Sequence, residues 1–201
     1  YAETCAGIGL CFFAHQMWRI DPDAEYIDVL ERALYNEVLG GVQIAGDKFF
    51  YPNKLLMTGE PGWGSGRRSW YDCACCPSNI CRIIPAVPGY VYGTRGDDLY
   101  VNLFMSGSAK VRIGDQSLSL TQKTNYTWDG AVKITVDPTE AAEFTVRVRI
   151  PGWAGSKPSP GDLYHYADPG LDAPVRLQVN GGDAEMKIER GYVVLKRKWS
   201  R

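Results

Sequence analysis

A helical region followed by an antiparallel β-sandwich, an α+β chain in two parts, is the architecture this sequence predicts. Two observations carry the expectation. Residues 1–88 show apolar residues at helical spacing, with capping residues and glycine stops. Residues 89–201 switch to two-residue alternation, broken by Gly, Asp and Asn about every eight to twelve residues.

From Thr4 to Ile20 the apolar residues Cys5, Ile8, Leu10, Cys11, Phe12, Phe13, Met17 and Trp18 cover nearly the whole circumference, which predicts a buried helix. Asp21 is placed to cap a second helix, with Pro22 at its first position. That helix, Asp23 to Leu39, sets Ile27, Leu30, Leu34 and Val38 on one face and ends at Gly40-Gly41. A hairpin-like stretch from Val42 to Leu56 turns near Ala45-Gly46-Asp47, and a glycine-rich loop runs from Gly59 to Ser69. Ser78 or Asn79 then caps a brief helix that Pro85 ends. Strands are expected at Tyr90–Tyr92, Leu99–Leu103, Ala109–Ile113, Ser117–Thr121, Val132–Val136, Phe144–Ile150, Val175–Val179 and Tyr192–Lys196. Pro151-Gly152-Trp153 breaks the run, with Trp153 expected to pack in the sandwich, and Lys157 to Ala173 forms a loop. The absence of an initiator Met and of a closing strand after Trp199 leads us to expect a longer natural chain at both ends.

The 201 residues are 45% hydrophobic and 12% aromatic, ample for a packed core, and the net charge is −1. No basic run points to a nucleic-acid or membrane-surface partner, and no apolar stretch is long enough to span a bilayer. Compartment is not readable without a natural N-terminus.

Chemistry concentrates in the cysteines. Cys73-Ala74-Cys75-Cys76 packs three thiols into four residues, followed directly by Pro77-Ser78-Asn79. Such thiolates repel one another unless a cation holds them, and zinc is the soft, tetrahedral choice. Adjacent Cys75 and Cys76 are poorly built for a disulfide, so a disulfide framework is disfavoured. If the fold brings Glu3 and Cys5 to Cys75 and Cys76, a zinc ligand set is complete. Cys11, Cys73 and Cys81 read as small buried hydrophobes, with a metal role for Cys73 left open. Glu3 could equally complement the start of the first helix. His15 and His165 share no motif, Arg67-Arg68 reads as a solvated loop pair, and Tyr51 and Trp70 read as core aromatics or sugar platforms. Asn125-Tyr126-Thr127 has the form of a glycosylation sequon.

The ordered series Tyr1-Ala2-Glu3-Thr4-Cys5-Ala6, Lys48-Phe49-Phe50-Tyr51-Pro52-Asn53, Cys73-Ala74-Cys75-Cys76-Pro77-Ser78-Asn79, Tyr100-Val101-Asn102-Leu103, Arg149-Ile150-Pro151-Gly152-Trp153 and Gly191-Tyr192 closely resembles the bacterial β-L-arabinofuranosidases, zinc-dependent glycoside hydrolases with a cysteine nucleophile. The resemblance implies that residues 1–88 are the last helices of an (α/α)6 barrel, followed over 89–201 by a β-sandwich. It implies Glu3, Cys5, Cys75 and Cys76 as zinc ligands, Cys75 as the nucleophile, and Tyr51 in the sugar pocket. The family's acid/base is a glutamate upstream of Glu-x-Cys, before Tyr1, so residues 1–201 alone are expected to be inactive. The implied partner is an arabinose-containing glycan. The truncated barrel is expected to expose apolar surface and to associate with the remaining barrel or with itself. The rival reading is a non-catalytic carbohydrate-binding or interaction module in which a four-ligand zinc is purely structural.

Overall fold

The structure, a computed structural model, describes residues 3–54, 56, 66–73, 75–155, 157–168 and 174–200. Most of the Gly59–Ser69 loop, Tyr1, Ala2 and Ala74 of the motifs, and the end of the Lys157–Ala173 loop lie outside the described residues. The chain divides into two compact units, Tyr1–Val87 and Pro88–Arg201.

The first unit is helical. Helix α1 spans Thr4–Ile20 and α2 spans Ala24–Ala33, which continues into a π-helical turn at Leu34–Leu39. The cap of α2 is Asp23, whose Oδ1 accepts the Glu25 N–H at 3.0 Å, and not Asp21. Asp21 instead terminates α1, its N–H returning to the Met17 carbonyl, so Pro22 lies before the cap. Ile27, Leu30, Leu34 and Val38 are all buried, as the spacing requires, together with Ile8, Cys11 and Trp18 of α1. The all-round burial expected for α1 is not found: Phe13 is 62% and Ile20 69% exposed. Among the described residues, only the face carrying Ile8, Cys11, Ala14 and Trp18 is covered.

Val42 and Phe49 pair across a turn in which Gly46 takes φ +78°, and Phe49 also pairs with Arg68. The next helix, α3, runs from Cys75 to Ala86, starting earlier and ending later than expected. Pro77 falls in its first turn, where an N–H has no intrahelical partner to lose. Pro85 sits in the last turn, and the Val87 N–H still reaches the Ile83 carbonyl at 3.0 Å, so the proline does not stop the helix. No described helix is long and apolar enough to cross a membrane.

The second unit opens with a short helix, α4 (Pro88–Val91), in place of the expected strand at Tyr90 and Val91. Strands follow at Tyr92–Arg95 (β1), Asp98–Val101 (β2), Gly107–Ile113 (β3), Gln116–Thr124 (β4), Val132–Pro138 (β5) and Ala142–Arg149 (β6). After a 3-10 turn at Gly152–Gly155 come Gln178–Val179 (β7), Gly182–Asp183 (β8), Ile188–Glu189 (β9) and Tyr192–Trp199 (β10). They form a five-stranded sheet ordered β1-β2-β6-β10-β9, a three-stranded sheet β3-β4-β5 and the β7-β8 pair. Pairing is antiparallel except between β2 and β6, which run parallel, a departure from the expected all-antiparallel arrangement. The chain leaves β2, builds the separate β3-β4-β5 sheet, and returns so that β6 runs the same way as β2. A parallel pair needs such a long excursion.

One apolar cluster takes Leu99 and Val101 from β2, Phe144 and Val146 from β6, and Ile113, Leu118 and Leu120 from β3 and β4. The five- and three-stranded sheets therefore share a core. Trp153 is 43% exposed and stacks on Tyr126 at 6.2 Å, so it lies against that ring near the surface and does not fill the interior. The resemblance motifs in this unit converge on a buried polar knot. Arg149, fully buried, donates from Nε to the Asn102 carbonyl at 2.6 Å, and the Tyr192 hydroxyl donates to Asn102 Oδ1 at 2.8 Å. Tyr192→Phe leaves that amide oxygen without its donor and is expected to cost about 1–3 kcal/mol in urea unfolding. A loss below about 0.5 kcal/mol would show that the knot does not hold β2, β6 and β10 together.

Candidate metal centre

The site begins with where α1 starts. Glu3 is its N-cap residue in extended conformation (φ −126°), and its side chain makes no capping hydrogen bond, so the carboxylate is left free to turn elsewhere. Glu3 also pairs with Pro52, while the Thr4 N–H donates to the Tyr51 carbonyl (3.1 Å) and the Thr4 hydroxyl to the Phe50 carbonyl (2.8 Å). The segment 50–52 thus pins the first turn of α1. Gly41 completes the clamp, because a Cβ there would lie 2.9 Å from Thr4 Oγ1. Glycine is what lets the chain pass so close.

Across from Glu3 and Cys5 stands the first turn of α3. Cys75 and Cys76 occupy its opening positions, where unpaired backbone N–H groups favour negative charge. The Cys75 Sγ lies 3.4 Å from Glu3 Oε1 and 3.8 Å from Cys76 Sγ, and Cys76 Sγ lies 3.4 Å from Cys5 Sγ. All four potential donor atoms fall within 4.8 Å of one another. A tetrahedral ion with bonds of about 2.3 Å to sulfur and about 2.0 Å to oxygen has edges of about 3.8 Å between sulfurs and about 3.5 Å from sulfur to oxygen. The donor set fits that size.

Electrostatics agree. Burial, above all, pushes the Cys75 thiol up to about 11, and burial with contact from Cys5 pushes Cys76 up as well. These two thiols resist ionisation unless a cation sits beside them, which reverses the balance. Burial, with Glu37 nearby, likewise raises Cys11 to about 12, and its thiol lies 3.6 Å from the Leu30 carbonyl, away from the cluster.

Tyr51, expected in the sugar pocket, reaches the cluster through its hydroxyl. Hydrogen bonds to Cys75 and then Cys73 hold that hydroxyl protonated, well above the usual phenol range. The same bond to Tyr51 draws the Cys73 thiol below its ordinary value. Cys73 and Cys81 are exposed, not buried as expected, because Cys73 precedes α3 on the surface and Cys81 faces outward from it. Arg67 and Arg68 are more than a solvated pair: Arg67 donates to the Gly40 carbonyl at 2.6 Å and lies over the Phe50 ring, and Arg68 lies over Tyr71. Trp70 is exposed, and His15 stacks on Trp18. The residue that sequence reasoning missed is Asn79, read as a cap, whose side-chain amide lies 3.2 Å from Cys5 Sγ. Its signal was the four-residue step from Cys75, which sets both on one helix face.

Glu3, Cys5, Cys75 and Cys76 define a candidate metal site within the helical unit of an α+β chain. Residues 1–89 match the family model described as the β-L-arabinofuranosidase GH127 catalytic domain, and residues 98–201 match the GH127 middle domain. The chain belongs to the GH127 β-L-arabinofuranosidase family. It is 36% identical to a non-reducing end β-L-arabinofuranosidase of Bifidobacterium longum subsp. longum, over 94% of this chain and 30% of that protein. A solved GH127 β-arabinofuranosidase superposes over the whole chain with a TM-score of 0.92 at 41% identity, this chain covering 31% of it. A GH127 β-L-arabinofuranosidase from Geobacillus stearothermophilus T6 does so with a TM-score of 0.85 at 35% identity, this chain covering 30% of it. The chain therefore spans about a third of the length of these relatives.

In the full-length protein, Cys5→Ala is expected to reduce bound metal to near zero by elemental analysis, while Cys81→Ala leaves it unchanged. Full metal content in Cys5→Ala would remove Cys5 from the donor set.

Proposed function

We propose that the full-length protein is a retaining glycoside hydrolase that releases β-L-arabinofuranose from plant glycans. Zinc would be held by Glu3, Cys5, Cys75 and Cys76, and Cys75 is the nucleophile. The helical unit would be part of an (α/α)6 barrel over residues 1–88, and the sheets from 89 onward a β-sandwich. The single observation that carries the reading is the position of Cys75. Its sulfur belongs to the donor cluster yet is only half-buried, whereas Cys76 is fully buried.

Bound zinc supplies the positive charge that keeps the clustered thiols ionised at neutral pH. Glu3 and Cys76 fix the direction of the Cys75 sulfur, and the Tyr51 hydroxyl donates to it. In the first half of the reaction the Cys75 sulfur displaces the aglycone from the anomeric carbon, forming a carbon–sulfur bond as the carbon–oxygen bond breaks. The leaving oxygen takes its proton from the glutamate that the family carries upstream of Glu-x-Cys, a contribution of about 10²–10⁴-fold. Water then attacks the same carbon, its proton returning to that glutamate, and Cys75 leaves as thiolate. Two displacements retain the anomeric configuration.

The rival reading keeps one supporting observation: four protein donors fill a tetrahedral ion, the usual mark of a structural site. Cys75→Ser separates the two. In the full-length protein this variant, still holding metal, is expected to lose more than about 10³-fold in turnover. Iodoacetamide should modify Cys75 and abolish activity, with substrate protecting. Unchanged turnover in metal-loaded Cys75→Ser would contradict the nucleophile assignment and favour the structural role.

A further inference from the structure

Three sulfurs crowd the cluster, and their surroundings differ. Cys76 is fully buried and has the Cys5 backbone N–H as a partner, Cys75 faces Glu3 and Tyr51, and Cys5, among the described contacts, accepts a side-chain amide N–H. The donor is Asn79 Nδ2, 3.2 Å from Cys5 Sγ. The orientation of this amide is chemically determined. Arg82 Nη1 lies 3.2 Å from the other end of the Asn79 side chain, and a guanidinium can only donate, so that end must be the oxygen. The N–H end is then forced toward Cys5. Helix α3 supplies the geometry: Asn79 stands one turn beyond Cys75, and Arg82 three residues beyond Asn79, all along one side.

Resting on the zinc-thiolate reading above, we infer that Asn79 is a positioning residue that orients and tunes the Cys5 sulfur. Its N–H bond withdraws charge from Cys5 and fixes that side chain as a ligand, as the Tyr51 hydroxyl does for Cys75. Arg82 sets the amide for this task from outside the cluster. A charge-assisted N–H···S bond of this kind acts on both how tightly the ion is held and how strongly each sulfur donates to it.

The test uses the full-length protein loaded with Co²⁺, whose sulfur-to-metal charge-transfer absorption reports electron density on the thiolates. Asn79→Ala is expected to move that absorption to lower energy and to weaken metal retention against a chelator by about 10- to 100-fold. Arg82→Ala, distant from the sulfurs and exposed, is expected to move both in the same direction by less. Asn79→Gln, which keeps a donor on a longer arm, should recover part of the shift. A purely structural role for Asn79 would lower stability without moving the absorption. Charge-transfer bands present in the parent protein and unmoved in both Asn79→Ala and Arg82→Ala overturn this inference alone. Bands absent from the parent protein overturn the thiolate centre itself, and this inference with it.

Discussion

Everything in the helical unit answers to one constraint: four groups that would each be negative when ionised are held within a few ångströms of one another. Glu3 and Cys5 come from the start of α1, and Cys75 and Cys76 from the start of α3. The fold does not avoid this repulsion; it builds toward it. The 50–52 segment and the close pass of Gly41 fix the first turn of α1, and the core of Ile8, Ile27, Leu30 and Ile83 fixes the helices behind it. Burial, above all, drives Cys75 and Cys76 upward and so favours their protonated forms. Such an arrangement makes physical sense around a cation, whose charge converts mutual repulsion into shared attraction.

The same geometry explains how one sulfur could act while the others hold. Depth separates Cys76 from Cys75, and each sulfur meets a different donor: Asn79 at Cys5, the Tyr51 hydroxyl at Cys75 and the Cys5 N–H at Cys76. A helix N-terminus serves this purpose well, since its first turn offers unpaired N–H groups and a rigid base for two adjacent side chains. The second unit contributes a different kind of order. Its Arg149–Asn102–Tyr192 knot ties three strands of the larger sheet through bonds that are costly to leave unmade once buried.

Much of this was legible in the sequence. The limits of α1, the buried face of Ile27, Leu30, Leu34 and Val38, and most strands follow from periodicity and turn residues. The grouping of Glu3 with the cysteine pair was legible from residue chemistry and from the resemblance. What failed were features decided by competition among local signals. Asp21 and Asp23 are both plausible caps, and the one directly preceding Ala24 wins. Pro85 reads as a stop but costs little in a last turn, and Pro77 costs nothing in a first. The parallel β2–β6 pair was hidden because alternation records which face a residue takes and is silent on strand direction. Exposure of Cys73 and Cys81 was hidden too, since a free thiol carries no polarity signal strong enough to locate it.

What the three sulfurs and the Glu3 carboxylate bind decides the chemistry of the site. X-ray absorption at the zinc edge of the full-length protein as isolated measures this directly. The expected result is about three sulfurs at about 2.3 Å and one oxygen at about 2.0 Å around each zinc. A zinc shell of nitrogen and oxygen alone, or protein that retains no zinc while all four side chains are intact, would contradict it.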